Sequence, residues 1–272
     1  NESSFDPKLS FKYLLTDFLS LRLSRSTAFS SPSMAQMFSS EINLGSVRDI
    51  NDSVFVRQAS IGNPNLKPST SSNTNFGLIY EKDVLKLTID YWEIDYKDRI
   101  EVESAQAILS SDPNGPSITR NQFGDLIGVT TSYFNEENTL VKGTDFNLDY
   151  YINTKDKGDI TFGLKGTKFA KFLTPGANDD QQLRMINRVG KFNYNAHTHS
   201  LPEKRINAFI NWNYKDYVFG LTTRYIDGYI NERPITGLGI TYGYKNKINS
   251  FLIHDLSLRK VLKISSGELK LN

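Results

Sequence analysis

Apolar and polar residues alternate along most of this chain with a period of two, the spacing of a strand whose side chains point to opposite faces. In residues 205–214, Ile206, Ala208, Ile210, Trp212 and Tyr214 share one face. Arg205, Asn207, Asn211 and Asn213 share the other, with Phe209 the exception. The pattern resumes with Tyr217, Phe219, Leu221, Thr223 and Tyr225 against Thr222 and Arg224, so Lys215-Asp216 is predicted to be a tight hairpin turn. Phe146, Leu148, Tyr150 and Ile152 alternate with Asp145, Asn147 and Asp149, and a polar turn over 153–158 leads to Ile160, Phe162 and Leu164. Phe76, Leu78 and Tyr80 lead through 81–83 into Leu85, Leu87, Ile89 and Tyr91, opposed by Lys86, Thr88 and Asp90. Trp92, Ile94 and Tyr96 then continue on the other face, which predicts a bulge. Residues 11–15 and 18–25 flank a turn at Thr16-Asp17, and 251–261 and 268–271 flank one near 265–267. The count is about ten strands, with no helical stretch and no fixed-period repeat.

The connections alternate as strictly as the side chains. Short turns lie near Thr16, Lys82, Lys155, Lys215 and Ser266, whereas long polar loops run over 29–69, 99–140, 170–203 and 229–249. A compact soluble domain seldom carries four structureless loops of some twenty to forty residues, since the median connection is about four to six. Outer-membrane barrels do so routinely, with short periplasmic turns and long extracellular loops. The faces agree: Ile, Leu, Phe, Tyr and Trp without charge suit lipid, and Asn, Asp, Thr, Lys and Arg suit a wet lumen. Tyr150, Tyr151, Tyr214, Tyr217 and Tyr225 fall at strand ends, where interfacial girdles place aromatics. A soluble β-sandwich gives the same alternation, and the loop asymmetry argues against it.

Composition changes this picture little. The 272 residues include 32 basic and 30 acidic side chains, a net charge of +2 that carries no bias toward nucleic acid, and no cysteine for a disulfide or thiolate metal site. No apolar run approaches the roughly 18 residues of a membrane-spanning helix, but a barrel strand shows only alternate residues to lipid. The first residues, Asn1-Glu2-Ser3-Ser4, have no basic and apolar leader, and Leu269-Lys270-Leu271-Asn272 ends inside an alternating run. Both ends are expected to be cuts in a longer chain.

Several segments resemble those of one family in order. Phe29-Ser30-Ser31-Pro32-Ser33 resembles the Phe-Arg-Ala-Pro-Ser segment of TonB-dependent receptors, and Gly62-Asn63-Pro64-Asn65-Leu66-Lys67-Pro68-Ser69 resembles their Gly-Asn-Pro-x-Leu-x-Pro-Glu segment. Ile94-Asp95-Tyr96-Lys97-Asp98-Arg99-Ile100 looks like the family's Tyr-x-Ile-x-x-Lys-Asp-x-Ile strand end, and Val141-Lys142-Gly143-Thr144-Asp145 and Leu201-Pro202-Glu203-Lys204-Arg205 fit later strands. Ser30-Ser31 and Ser69 depart from the usual Arg-Ala and Glu. The resemblance implies an all-β fold: residues 1–272 as part of a transmembrane antiparallel barrel of about twenty-two strands, its C-terminal half, with the plug domain and the terminal strand or strands outside the chain. It implies a monomeric barrel in the outer membrane of a Gram-negative bacterium, in contact with lipid. The TonB complex would energise uptake through an absent N-terminal region, and the cargo would be a scarce nutrient such as a siderophore-iron complex, cobalamin or an oligosaccharide. A passive porin-type barrel is the alternative.

Candidate chemistry is sparse. The heme-uptake members carry a His between the first two segments, and residues 29–66 contain none. Met34 and Met37 lie there but read as packing. His197 and His199 could share a metal with a third ligand, against the plainer reading of a solvated loop. His254 falls in a strand on the face assigned to lipid. Asp179-Asp180 lacks the spacing of a calcium loop, and the glycines at 237, 239 and 243 lack that of a phosphate loop. No nucleophile, base and acid pattern stands out, so no enzyme, cofactor or metal is expected. The candidate substrate contacts are Phe123, Tyr133, Phe134, Phe192 and Tyr194, aromatic residues of the long loops.

Overall fold

The structure, a computed structural model, describes residues 4–50, 52–177, 183–192, 200–232, 235, 238–264 and 267–271. Its strands are β1 (Lys8–Thr16), β2 (Leu19–Ser30), β3 (Ser40–Asp49), β4 (Asp52–Ile61), β5 (Ser69–Lys82), β6 (Leu85–Val102), β7 (Ile118–Arg120), β8 (Leu126–Asn153), β9 (Asp159–Ala177), β10 (Leu183–Asn187), β11 (Lys191–Phe192), β12 (Ser200–Leu201), β13 (Lys204–Tyr214), β14 (Tyr217–Ile226), β15 (Tyr229–Asn231), β16 (Lys247–Ile248), β17 (Phe251–Ile264) and β18 (Gly267–Leu271). Three short helices interrupt them: α1 (Met34–Phe38), α2 (Ala105–Ser111) and α3 (Leu238–Thr241). Alternation predicts none of these, because one or two helical turns are too short to show a 3.6-residue period.

Ten strands form one antiparallel path, β1-β2-β5-β6-β8-β9-β13-β14-β17-β18. Among the described residues β1 and β18 do not pair with each other, so the wall is open. Cross-strand register assembles the predicted faces. Tyr13, Leu21, Leu78, Ile89, Phe146, Gly166, Ile206, Tyr225 and Leu252 follow one another across the sheet on the apolar face. Arg22, Gly77, Asp90, Asp145, Thr167 and Arg205 run across the polar face. His254 is the register partner of Thr223 on the apolar side, with its Nδ1 2.9 Å from Thr223 Oγ1. Phe209, the exception in its strand, stands on the polar face over Gly163; a Cβ there would lie 2.2 Å from the ring. Lys165 Nζ is 5.9 Å from the same ring. Tyr151 also belongs to the polar face, opposite Thr161, and so is not part of an outer girdle.

The hairpin at Lys215-Asp216 forms where predicted, and the turns at Asp17-Phe18 and Asp83-Val84 fall one residue later than the sequence suggests. Asp83 and Lys215 take positive φ, 49° and 53°, the sense that matches the right-handed twist of paired strands. β6 itself carries no bulge near Trp92, since β5 and β6 pair without a register shift from Leu85 to Lys97; the irregularity lies between β8 and β9, at Lys142 and Gly143, the latter the partner of Trp92. The apolar residues change face there because the outward face turns polar, with Glu93 meeting Lys142 at 2.8 Å, while Trp92 packs edge-on against Phe169 on the other side.

The long loops are built rather than structureless. β6, β8 and β9 have 18, 28 and 19 residues, about two to three times the nine to eleven that cross a bilayer. Their surplus extends beyond the wall on the side of the long connections. There β3-β4-β8-β7 form a second sheet, with β4 parallel to the first part of β8. Val47, Val56, Leu126 and Val129 of this sheet pack with Ala105 and Leu109 of α2. Buried apolar residues of the described chain concentrate in this platform, since the wall exposes both of its faces.

Candidate substrate-binding rim

The rim is held by the two segments that open the family resemblance. Phe29 and Ser30 close β2 opposite Thr70 and Ser69. Beyond Pro32, Ser33 caps α1: its Oγ accepts from Gln36 N at 3.2 Å, while its own N–H donates to Gln36 Oε1 at 2.9 Å, a complete capping box. Met34 and Met37 belong to this helix, and Met34 is exposed. Gly62 lies against the helix backbone, where a Cβ would stand 2.7 Å from Met37 C. Asn63 then donates from its side chain to Tyr133 O at 2.9 Å and accepts from Asn65 N at 2.9 Å, fixing the turn at Pro64. Leu66 is buried, and Pro68 precedes the first residue of β5. Asn135 clasps the segment from β8, accepting from Lys67 N and donating to Lys67 O, both at 2.8 Å. These residues are joints between wall and platform.

Beside them lies a polar network that no local sequence pattern signals. Glu136 is buried and accepts from Arg99 Nη2 at 2.6 Å, Arg99 Nε at 3.1 Å and Thr139 Oγ1 at 2.7 Å. Arg99 also meets Glu101 at 2.5 Å and lies 5.7 Å from the centroid of Phe172. Arg188 donates from Nε to Thr174 Oγ1 at 2.9 Å and from Nη2 to Pro175 O at 3.3 Å. Burial pushes the Arg188 pKa down from the usual arginine value, opposed by the charges of Glu232 and Glu136. Two guanidinium groups, carboxylates and aromatic faces thus gather at the mouth of the wall, with Arg99 paired to Glu101 and Glu136 and Arg188 bonded to Thr174 and Pro175.

The candidate contacts occupy separate elements. Phe123 tips the β7–β8 connection, 80% exposed, with its N–H donating to Asn121 Oδ1 at 2.9 Å. Tyr133 and Phe134 are half-buried in β8, opposite Val102 and Glu101. Phe192 closes β11 opposite Ser200. Tyr194, His197, His199 and Asp179-Asp180 lie outside the described residues. Leu238 and Gly239 belong to α3 rather than to an irregular loop. Among the described residues no cluster of three or more His, Cys, Asp or Glu side chains could hold a metal ion. Sequence reasoning passes over Arg99, Glu136 and Arg188 because they are joined only by the fold, the first two 37 positions apart.

An antiparallel wall with one apolar face, tight turns along one edge and a built rim along the other defines the β-barrels of outer membranes. Comparison narrows the class. The chain belongs to the TonB-dependent receptor β-barrel family, whose profile, described as TonB dependent receptor-like, beta-barrel, matches residues 1–269. This is a family of receptors and transporters rather than enzymes. A curated relative, described as a probable TonB-dependent siderophore receptor, PirA, from Acinetobacter baumannii, is 26% identical over 171 residues, covering 57% of this chain and 22% of that protein. The crystal structure of the siderophore receptor PirA from the same organism superposes with a TM-score of 0.56 at 17% identity, over 94% of this chain and 34% of that one. A mutant of the ferric enterobactin receptor PfeA from Pseudomonas aeruginosa, in complex with enterobactin, gives a TM-score of 0.58 at 16% identity, over 94% and 32%. The copper transporter OprC gives 0.51 at 13% identity, over 93% and 30%. The chain thus spans about a fifth of the curated relative and about a third of each solved receptor. At these identities the solved structures carry the fold alone.

Proposed function

We propose that the chain is part of the barrel of a TonB-energised receptor that takes up a ferric siderophore across the outer membrane of a Gram-negative bacterium. The observation that carries the reading is the rim. A porin needs only a hole, whereas this wall devotes half of β6 and β8 and a separately packed sheet to a fixed surface at its mouth. Arg99, Arg188, Phe172, Tyr133 and Phe134 line or brace that surface, which offers polar groups and aromatic faces to an iron chelate. Kinship with a protein described as a probable siderophore receptor supports the same cargo class.

The test is uptake by the full-length gene product. Expressed in an iron-starved strain lacking its own siderophore receptors, it should accumulate radiolabelled ferric siderophore. Accumulation should stop when the strain lacks TonB or its proton gradient is collapsed. Uptake that persists without TonB would favour a passive barrel, and Arg188→Ala should raise the half-saturating siderophore concentration severalfold.

A further inference from the structure

The apolar face is recessed near its hairpin edge. Trp212 and Tyr214 of β13, Tyr217 and Phe219 of β14, and Leu258 of β17 line a recess of about 200 Å³ with almost wholly apolar walls. Register explains it: Trp212, Phe219 and Leu258 form one row across three strands, and Tyr214, Tyr217 and Lys260 form the next. Trp212 and Tyr214 stack with centroids 5.8 Å apart. Trp212 Nε1 donates to Lys157 O at 2.7 Å in the neighbouring turn, so the indole has its polar edge satisfied and its position fixed.

Two ammonium groups sit beside the recess on the hairpin side. Lys215 Nζ is 5.0 Å from the centroid of Tyr214, and Lys260 Nζ is 5.2 Å from that of Tyr217. Neither lysine forms an ion pair among the described residues. Asp216, in the same turn, uses its backbone oxygen to accept from Val261 N at 2.8 Å. The recess is therefore apolar within and cationic at its edge, complementary to a molecule with a hydrocarbon chain and an anionic head.

We propose that this recess binds an anionic phospholipid of the membrane leaflet on the hairpin side, with one acyl chain against Trp212, Phe219 and Leu258 and the headgroup phosphate between Lys215 and Lys260. The proposal rests on the reading of the chain as a membrane-inserted barrel. It goes beyond that reading, since an aromatic girdle needs no lipid of particular charge.

The experiment uses full-length receptor purified in detergent. Heat-modifiable migration and partition into the outer-membrane fraction establish insertion first. Native mass spectrometry then follows titration with phosphatidylglycerol or phosphatidylethanolamine of identical acyl chains. Phosphatidylglycerol should bind on the order of tenfold more tightly, as expected from two lysines at the interface. The Lys215→Gln/Lys260→Gln variant should lose that preference, and Leu258→Trp, which fills the recess, should weaken both lipids. Equal affinity of wild type for the two lipids, a preference that survives the double variant, or retention of both lipids by Leu258→Trp overturns the site alone. Failure to insert overturns the barrel reading and the site together.

Discussion

Arg22 reaches Asp90 across an intervening strand. Its Nε donates to Asp90 Oδ1 at 2.6 Å and its Nη2 pairs with Oδ2, directly over Gly77, the register partner of both residues. A Cβ on Gly77 would stand 2.1 Å from Asp90 Oδ1, so the bare backbone of β5 is what lets β2 and β6 join on the polar face.

The two ends of this pair differ in exposure, 46% for the Arg22 side chain and 9% for Asp90. Arg22→Ala strands a buried carboxylate and should destabilise the folded barrel by about 2 kcal/mol, whereas Asp90→Ala leaves a guanidinium that can turn to water and should cost about 1 kcal/mol or less. Urea unfolding midpoints of the refolded receptor, read by heat-modifiable migration, should rank wild type above Asp90→Ala and Asp90→Ala above Arg22→Ala. Gly77→Val should fall at or below Arg22→Ala.

In the platform, Arg120 donates to Asp49 through Nη1 at 2.6 Å and Nη2 at 2.9 Å, and these hydrogen bonds hold the Asp49 carboxyl below its ordinary pKa. A depressed acid stabilises the folded state above its unfolded pKa of about 3.9, and that contribution fades as pH falls through the lower folded value. Amide exchange over 47–56 and 118–129 should therefore stay flat from neutral pH to about 5 after correction for intrinsic rates, then rise on further acidification. Asp49→Asn should exchange faster at neutral pH by roughly 1 kcal/mol and lose this part of the acid response.

Gln106 acts as a substitute strand. Its Oε1 accepts from Arg48 N at 2.7 Å and its Nε2 donates to Arg48 O at 3.2 Å, covering part of the edge of β3 that β4 leaves open. Gln106→Met keeps the volume but removes both partners, and should cost about 2 kcal/mol within the platform. Hydrogen exchange at 46–50 should quicken while the wall hairpin at Lys215 is unaffected.

Asn135 should be equally local. Its amide also donates to Asp98 O at 2.8 Å, so Asn135→Ala releases three bonds that pin Lys67 and the left-handed Asp98, whose φ is 53°. Faster exchange over 62–70, with unchanged hairpins, is the expected result, at about 1 to 3 kcal/mol.

The wall was legible because one apolar and one polar face impose a period of two on its strands, as in Tyr214 and Tyr217 around their turn. The platform was not. Pairing of 57–61 with 128–132 is parallel and separated by about seventy positions, so neither turn chemistry nor a shared hairpin marks it. The long polar loops read as solvated because the platform's few core residues, such as Val47 and Val129, are spread among polar neighbours. Trp92 misleads for the opposite reason: its ring is apolar, but the strand has already left the layer where apolar means outward. Arg99 and Glu136 look like ordinary loop charges until β6 and β8 place them face to face.

β8 runs without a register break against β6 from Tyr133 to Tyr150. The outer sheet and the barrel wall thus share one beam, and any load placed on the platform passes directly to the turn at 153–159. Movement at the mouth is left to parts not spliced into that beam, which makes the outer sheet an anvil against which other elements close.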